Sequence, residues 1–405
     1  MNSDQASLTG IRVLDLTQFE AGPSCTEALA WLGAEVIKVE SPKGGDPGRR
    51  TGATQGLDGR WFLLLNANKK SITVNLKCSQ GIKLIKDMVR RADIFVENFA
   101  PGTIERLGLS YEVLREINPK IIYAQIKGFG TGSPYEGNLA LDTIGQASGG
   151  SMSVTGERDG RPLRPGPSIA DTGSGMLLAI SILGALYRCK CTGQGARIEV
   201  AMQDAVMQFI RGAFAEHARS GRAAPRAGTK SAAVVNVPSD IYSCKPGGPN
   251  DYIYIYPHRN KPEHWHRLLK VIGREDLIGD PRFETAAARV QNEKEVDAII
   301  ANWTRQRDKH EAMRLIGAAG IPAGPVLDTL ELENDPSFED RGIMQTIEHQ
   351  THGRFKMLTW PVRCDGVTPK IKPAPLLGQH NAEVFRDWLG LDATDIETLR
   401  QDDVI

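Results

Sequence analysis

The first half of the chain alternates short apolar runs with longer stretches of helical periodicity. Runs rich in Val and Ile predict strands, whereas apolar positions three and four residues apart predict helices. The predicted strands are 11–16, 36–39, 71–76, 94–96, 121–126 and 197–200, and the later helices are 80–92, 111–117 and 173–187. A turn at 21–23 is expected before a first helix that ends at Leu32. This rhythm predicts a mostly parallel, doubly wound sheet with ligands at the carboxyl ends of its strands.

A second compact unit is expected in the other half of the chain, beginning near Val235. An Ala-, Gly- and Arg-rich segment at 213–229 precedes it and is interpreted as a linker. Short segments rich in Ile and Tyr at 240–242 and 252–256 flank the turn sequence PGGPN, which predicts a β-hairpin. Helical patterns follow at 263–272 and 294–304, and the sequence GIPAGPV then introduces another extended region.

Length, composition and charge are typical of an ordinary globular protein with more than one domain. The 405 residues exceed a single domain of about 150 residues. Apolar residues make up 40% of the chain and charged residues 24%, which disfavours disorder. Because 49 basic residues balance 49 acidic ones, no global field attracts nucleic acid or an anionic membrane. An anionic ligand must therefore meet local cations.

The six cysteines are too sparse for a disulfide scaffold and are predicted to be free thiols. Cys189 and Cys191 form a C-x-C pair, but no second Cys/His pair follows at zinc-site spacing, so no metal is expected. The first ten residues lack the basic start and apolar run of a secretory signal, and no stretch of about 18 apolar residues is expected. These features predict a cytoplasmic protein without a membrane partner.

Sequence motifs of nucleotide and metalloprotease chemistry are missing. The turn after the first strand reads TQFEAGP instead of G-x-G-x-x-G, and the sequence contains neither G-x-x-x-x-G-K-[ST] nor H-E-x-x-H. A nicotinamide cofactor, nucleotide hydrolysis at a phosphate loop and zinc proteolysis are therefore disfavoured. His258 and His266 are interpreted as surface or packing residues.

Asp171 is the polar residue whose surroundings most strongly indicate chemistry. It lies within PSIADTGSG, among small residues and directly before an apolar helical run. One interpretation is an N-cap, whose carboxylate accepts hydrogen bonds from the amides of the first helical turn. The other is a nucleophilic carboxylate, held together with its oxyanion by the same amides and approached closely by glycine backbone. The pattern leaves both interpretations open, and they are compatible.

Long stretches of the chain resemble the class III CoA-transferases, the CaiB/BaiF family that includes formyl-CoA transferase, carnitine CoA-transferase and related acyl-CoA racemases. In the first half the resemblance rests on LDLTQFEAGP, LGAEVIKVE, NKKS, ENFAPGTIERLG and TGQGARIEVAMQD. In the second half it rests on GIPAGPV and PLLGQH. The resemblance covers nearly the full chain.

This resemblance implies an α/β fold with a Rossmann-like, doubly wound large domain, a smaller α+β domain and an interlocked-ring homodimer. The large domain is expected over 1–212 and 326–405, and the small domain over 235–305. The linkers are expected at 213–234 and 306–325. Clefts between domains are common ligand sites, and the active site is expected between the large domain of one subunit and the small domain of the other.

The resemblance also implies transfer of CoA from an acyl-CoA to a small carboxylic acid, with CoA as co-substrate and no tightly bound cofactor. The position of the family's nucleophile is Asp171. Its attack on the donor thioester gives a mixed anhydride, and the released CoA thiolate then forms an aspartyl-CoA thioester. Such a weak nucleophile must be positioned, and the tetrahedral oxyanions must be stabilised.

The positions that match the family's CoA-binding residues lie in four short segments and at two single positions. They are Glu20, Ala21, Ser41, Val74, Asn75, Leu76, Lys77, Asn98, Phe99, Ala100, Arg106, Leu139, Ala140, Leu141 and Asp142. Among them, Lys77 and Arg106 are the natural partners for phosphate.

Three departures weaken an assignment to oxalate and formate. Formyl-CoA transferases usually carry glutamine where this chain has Glu20, and arginine where it has Ser41. A glycine-rich loop that covers their active site is also missing from 231–239. Our hypothesis is that a small or dicarboxylic acid accepts CoA from a common thioester such as succinyl-CoA. His258 and Arg259 either contact the acceptor carboxylate or are ordinary exposed residues at a strand end.

The two alternatives to a transferase are a racemase and a silent CoA-binding protein. Acyl-CoA racemases use a His/Asp acid–base pair and carry Gly-His-Asp where this chain has Ala140-Leu141-Asp142, so the histidine is lacking. A catalytically silent CoA-binding protein would not need the intact surroundings of Asp171. The sequence therefore favours a transferase.

Overall fold

The computed structural model describes residues 6–54, 56–230 and 235–405. The chain divides into two compact units. The first consists of residues 6–151, 164–210 and 336–405, and the second of 152–163 and 211–335, each within the described part of the chain. Residues 231–234 of the first predicted linker, and the start of the predicted gap at 231–239, lie outside the described residues.

The first unit is built on a six-stranded parallel sheet. Its strands are β1 Arg12–Asp15, β2 Glu35–Glu40, β3 Lys70–Thr73, β4 Ile94–Glu97, β5 Ile122–Lys127 and β6 Ala196–Ala201. Their order is β3-β2-β1-β4-β5-β6, and every neighbouring pair is parallel. The strand order reverses between β1 and β4, which opens a crevice at the carboxyl ends of these two strands. The six predicted strands and the predicted parallel sheet are thus confirmed.

Helices cover both faces of this sheet. Those of the first part of the chain are α1 Ala21–Trp31, α2 Arg60–Leu65, α3 Ser79–Val89, α4 Thr103–Arg106, α5 Tyr111–Ile117, α6 Asp142–Ser148, α7 Asp171–Thr192 and α8 Met202–Phe209. Successive strand residues face opposite sides. Leu14, Ile37 and Phe95 pack in the core shared with α3 and α5. Val36 and Ile94 pack in the core shared with α1, α7 and α8. The predicted turn at 21–23 is instead the first turn of α1.

The second unit has its own core and a three-stranded antiparallel sheet. Its elements are α9 Arg211–Ser220, β7 Asp240–Ser243, β8 Tyr252–Ile255, α10 Pro262–Val271, α11 Ala286–Gln291, α12 Glu293–Thr304, α13 Lys309–Ala318, β9 Ala323–Pro325 and α14 Thr329–Asn334. The predicted hairpin is confirmed, since Ser243 pairs with Tyr252 and Asp240 with Ile255. β9 completes the sheet by pairing with β8.

The segments predicted as linkers contain regular structure, which corrects the predicted boundaries. Helix α9 occupies the start of 213–234 and buries none of its residues. In 306–325, helix α13 places Ala312 and Ile316 in the core of the second unit, beside Trp265. Because this apolar face is needed to complete that core, the second unit extends to residue 335 instead of ending at 305.

The chain returns to the first unit in its last 70 residues. The elements are α15 Pro336–Asp340, β10 Met344–His349, β11 Gly353–Leu358, α16 Asn381–Leu389 and α17 Ala393–Gln401. β10 and β11 form an antiparallel hairpin. Val384, Phe385 and Trp388 of α16 pack in the core that α3 and α5 also cover.

Among the described residues, helix α7 is the one helix that is long and apolar enough to cross a membrane, by length and composition alone. It has 22 residues and a mean hydropathy of 1.3 over its most apolar window, which meets the length and composition of a membrane span. The sequence pattern predicted only 173–187 as helix, which is shorter. One side of α7 is a core face, with Leu178, Ile182 and Ala185 buried against α1 and the sheet.

Candidate active site

A cleft of about 610 Å³ opens at the carboxyl edge of the sheet, beside the point where the strand order reverses. This volume is within the range of small-molecule sites. The loops after β1, β4 and β5 and the first turns of α6, α7 and α8 form its walls. Eight residues predicted from the family resemblance line it together: Ala21, Asn98, Phe99, Ala100, Leu139, Ala140, Leu141 and Asp171.

The other predicted residues are not among those that line this cleft. Arg106 is exposed and donates from Nη2 to Oγ1 of Thr103, 2.9 Å away, and Thr103 lines the cleft. Ser41 follows β2 and is exposed. Residues 74–77 follow β3, where Lys77 is exposed but Val74 is buried in the apolar core. The side chain of Val74 is therefore unable to reach a ligand.

Asparagine and aspartate side chains fix the loop after β1. Asn98 accepts from the Gln18 amide at 2.8 Å and donates to the Gln18 carbonyl oxygen at 2.9 Å. The Phe19 amide donates to Asp46 Oδ1 at 3.1 Å, and Phe19 has a positive φ of 62°. Non-glycine residues rarely adopt this conformation. The hydrogen bond to Asp46 offsets the cost of this conformation, and the half-exposed ring of Phe19 lies at the wall of the cleft.

Buried charges lie directly beneath this loop. The ammonium of Lys38 contacts Asp46 Oδ2 at 2.8 Å and donates to the carbonyl oxygen of Thr17 at 2.9 Å. Lys69 contacts Asp15 Oδ2 at 3.2 Å, and all four charged side chains are buried. Burial alone would raise the pKa of Asp15, but Lys69 and Lys38 lower it to about 2. This cluster fixes the carboxyl end of β1 and thereby the position of Glu20.

Asp171 is the first residue of α7, and it does not cap the helix. The N-cap is Ala170, without a side-chain hydrogen bond, so the N-cap interpretation of Asp171 is wrong. The nearby amides already have partners. Those of Ala170 and Asp171 donate to Asp142 Oδ1 at 3.0 and 3.4 Å. Those of Thr172 and Gly173 donate to the carbonyl oxygens of Ser168 and Ile169. The expectation that these amides hold the Asp171 carboxylate and its oxyanion is therefore also wrong.

Two glycines let the start of α7 pack closely against its neighbours. A Cβ atom at Gly175 would lie 2.5 Å from the carbonyl oxygen of Ala21, and one at Gly173 would lie 2.4 Å from the Phe209 ring. Any larger residue at 175 would force α7 away from α1. This contact brings Thr172 beside Glu20, where the threonine hydroxyl donates to Glu20 Oε1 at 2.8 Å.

Three carboxyl groups and one guanidinium meet at this corner of the first unit. Burial, together with the charges of Glu20 and Asp142, raises the pKa of Asp171 to about 7, while Arg164 opposes the shift. Burial also raises the pKa of Glu20, against hydrogen bonds from Thr172 and Ser168. Arg164 contacts Asp142 Oδ2 at 3.1 Å. The pattern gave no signal for Arg164, because it lies in an exposed segment without periodicity.

The remaining predictions concern residues elsewhere in the chain. His258 and Arg259 follow β8 in the second unit and are exposed, which is compatible with both interpretations. His266 contacts Glu284 at 2.8 Å. All six cysteines are free thiols, which confirms that prediction. Among the described residues, no group of three or more His, Cys, Asp or Glu side chains could hold a metal.

Comparisons with known proteins agree over nearly the whole chain. The model of CoA-transferase family III matches residues 8–381. The chain is 39% identical to a formyl-CoA:oxalate CoA-transferase of Streptomyces avermitilis, over 98% of this chain and 99% of that protein. A protein of the same name from Rhodopseudomonas palustris is 38% identical, over 95% of this chain and 94% of its own length.

Solved structures of two relatives have the same fold. A CaiB/BaiF family protein from Brucella suis superposes with a TM-score of 0.83 and 31% identity, over 95% of this chain and all of that one. Rv3272 from Mycobacterium tuberculosis gives a TM-score of 0.79 and 29% identity, over 93% of this chain and 98% of its own. With the family model matching most of its length, this chain belongs to CoA-transferase family III, the CaiB/BaiF family, and is a CoA-transferase.

Proposed function

We propose that this enzyme transfers CoA from an acyl-CoA to a carboxylic acid through covalent intermediates on Asp171. The observation that carries the proposal is the position of Asp171 in the wall of the cleft, among seven other residues that match CoA-binding positions of the family. A thioester bound along these residues would bring its carbonyl carbon to a carboxylate on a helix terminus. Proximity of this kind supplies much of the rate enhancement in acyl transfer.

The steps follow from the chemistry of a carboxylate and a thioester. An oxygen of ionised Asp171 attacks the thioester carbonyl carbon, and the tetrahedral oxyanion collapses by breaking the C–S bond. This gives a mixed anhydride and the CoA thiolate. The thiolate then attacks the Asp171 acyl carbon, which releases the donor acid as a carboxylate and leaves an aspartyl-CoA thioester. An acceptor carboxylate runs the same steps in reverse, so that no net charge or proton is gained.

We propose that CoA lies along the carboxyl edge of the sheet, with its phosphates near Lys77 and Arg106. Both side chains are exposed cations at this edge, one after β3 and the other at the end of α4. Ser41 and Asn75 lie after β2 and β3 and would border the same route. Because the protein has no net charge, these local cations are the groups that would attract the phosphates.

The acceptor is proposed to be a small or dicarboxylic acid. Formyl-CoA and oxalate are the first pair to test, because the relatives carry that name. Succinyl-CoA is the second donor, since Glu20 and Ser41 depart from the residues usual in formyl-CoA transferases. Failure of every dicarboxylate as an acceptor, with an active enzyme, would remove this part of the proposal.

The covalent mechanism is tested by trapping. The purified enzyme is incubated with each acyl-CoA, treated with hydroxylamine or borohydride, digested and analysed by mass spectrometry. We expect a donor-dependent modification of the Asp171 peptide, because both reagents react with activated carboxyls. The peptides that contain Glu20 and Asp142 are internal controls and should stay unmodified. No adduct with any donor, although CoA binds, would contradict the proposed mechanism.

We also propose an interlocked homodimer in the cytoplasm. Helix α7 supports a dimer, since its large apolar side chains Ile180 and Tyr187 are 65% and 74% exposed. Association would remove this apolar surface from water. Light scattering should give twice the mass of one chain. A monomer at micromolar concentration would contradict the dimer.

A further inference from the structure

Glu20 lies beside the proposed nucleophile and has no role in the steps above. It precedes α1, is only 8% exposed and accepts a hydrogen bond from the residue next to Asp171. Three elements place charged or titratable groups around it. These are Asp171 on α7, Asp142 on α6 and Arg164 in the segment before α7. A single half-exposed guanidinium cannot neutralise three carboxylates in a buried corner.

Both carboxyl oxygens of Asp142 already accept hydrogen bonds. Its Oδ1 accepts from the amides of Ala170 and Asp171, and its Oδ2 accepts from Gln146 at 2.7 Å and Arg164 at 3.1 Å. An acceptor-only group with four donors is a carboxylate. The excess proton of this corner is therefore left to Glu20 and Asp171, which titrate as a pair.

The oxyanions formed on Asp171 also need a donor that the amides at the start of α7 do not supply. The amides of residues 170–173 each have an acceptor in the fold. A protonated carboxyl group is a strong donor of this kind in a dry site. Glu20 is placed for this purpose, because its buried carboxyl group lies beside the residue that follows Asp171, whose hydroxyl donates to Glu20 Oε1 at 2.8 Å.

We propose that Glu20 takes the proton that Asp171 gives up on becoming a nucleophile, and that the Glu20 O–H then donates to the oxyanions formed on Asp171. This inference rests on the proposed covalent function. The proton moves from one carboxyl oxygen to the other before attack. It stays on Glu20 while the C–S bond breaks and the thiolate leaves, so the step needs no outside acid or base.

The pair predicts a bell-shaped pH profile of kcat/KM. At low pH both carboxyls hold a proton, and Asp171 is not nucleophilic. At high pH both lose it, and Glu20 no longer donates. The active form has one proton shared by the two carboxyl groups. The acid and alkaline limbs of the profile therefore give two apparent pKa values that belong to the pair and not to a single residue. Burial raises the pKa of both groups, so the optimum is expected near neutral pH.

Two substitutions distinguish the hydrogen bond that Glu20 donates from the effect of its charge on the pKa of Asp171. Glu20→Gln keeps an N–H donor and removes the neighbouring charge. Its acid limb should move to lower pH, since the pKa of Asp171 falls, and its alkaline limb should disappear. Glu20→Ala has no donor, and kcat should fall about 10²-fold. Glu27→Gln, on the helix α1 that Glu20 precedes, is the matched control, because burial also raises the pKa of Glu27, to about 7. It should keep the wild-type profile.

The measurements are pH profiles of kcat/KM for the four proteins, with thermal melting and CoA binding to verify folding. A Glu20→Gln profile that matches wild type, or activity as low as that of Glu20→Ala, would overturn the role of Glu20. Trapping at Asp171 separates this failure from that of the proposed function. If wild type gives the Asp171 adduct, the covalent mechanism stands whatever the Glu20 variants do. If it gives none, the inference falls together with that mechanism.

Discussion

Replacing Asp171 by Asn is expected to lower the rate of CoA transfer by at least about 10⁴-fold, because removal of a nucleophile abolishes the covalent route. The amide has nearly the same shape as the carboxyl group. In the described part of the chain, the Asp171 side chain has no hydrogen bond that the substitution would break. The affinity for free CoA should therefore stay close to that of wild type, which isothermal titration measures beside the steady-state rate.

The same substitution is expected to stabilise the protein at alkaline pH. Burial and the charges of Glu20 and Asp142 raise the pKa of Asp171 from 3.8 to about 7. Since the folded state binds this proton more tightly than the unfolded state, wild-type stability falls as the pH rises from about 4 through 7. The Asn variant escapes this loss. Its melting temperature should exceed that of wild type at pH 8, and the difference should shrink towards pH 4.

Asp87→Asn is the matched control for this prediction. Asp87 lies on α3, and its side chain is 42% exposed. The same chemical change there should alter neither the rate nor the pH dependence of melting. An Asp171→Asn enzyme that retains a tenth of wild-type activity would exclude Asp171 as the nucleophile. It would direct attention to another carboxyl of the corner.

The large sheet could be predicted from the sequence because each of its strands is a short apolar run. Central strands of a parallel sheet are buried on both faces, so Val13 and Leu14 are both apolar although they face opposite cores. The edge strand β3 was predicted too long. It ends at Thr73, and the following two amides donate to the carbonyl oxygens of Glu40 and Val404. Such partners are distant in sequence and leave no local pattern.

The boundaries of the second unit could not be predicted for a related reason. The sequence around α13 contains Gly317 and Gly320, which favour a loop by local rules. Its apolar positions nevertheless complete a core whose other members lie on β8 and α10. Tertiary burial overrides local propensity here.

The candidate site shows the limit of pattern most clearly. Local sequence left Asp171 open between an N-cap and a nucleophile. The family resemblance selected the residue, but not its electrostatics. Those arise from contacts between residues far apart in the chain, such as Thr172 with Glu20 and Arg164 with Asp142. The hydrogen bonds that already occupy the first amides of α7, and the raised pKa of Asp171, cannot be predicted from a single sequence.

Beneath the site, the buried pair of Asp15 and Lys69 is held in a complete set of hydrogen bonds. Thr26 donates to Asp15 Oδ2 at 2.6 Å, and the Thr17 amide donates to Oδ1 at 2.9 Å. Lys69 donates to Asn66 at 2.9 Å. Because Asp15 and Lys69 are both buried, removal of the charge of one leaves the charge of the other in the interior without a counter-ion.

Asp15→Asn is therefore expected to lower the free energy of unfolding by about 3–5 kcal/mol at pH 7. Urea denaturation followed by circular dichroism measures this value. The pKa of Asp15 is lowered to about 2, so its stabilisation is complete above about pH 4 and is lost as the pH falls towards 2. The gap between wild type and variant should narrow over that window. Glu397→Gln, which breaks an exposed pair with Arg400, should cost less than about 1 kcal/mol. A cost of that size at Asp15 would show that its charge does not stabilise the fold, and that hydrogen bonds alone hold the loop before Glu20.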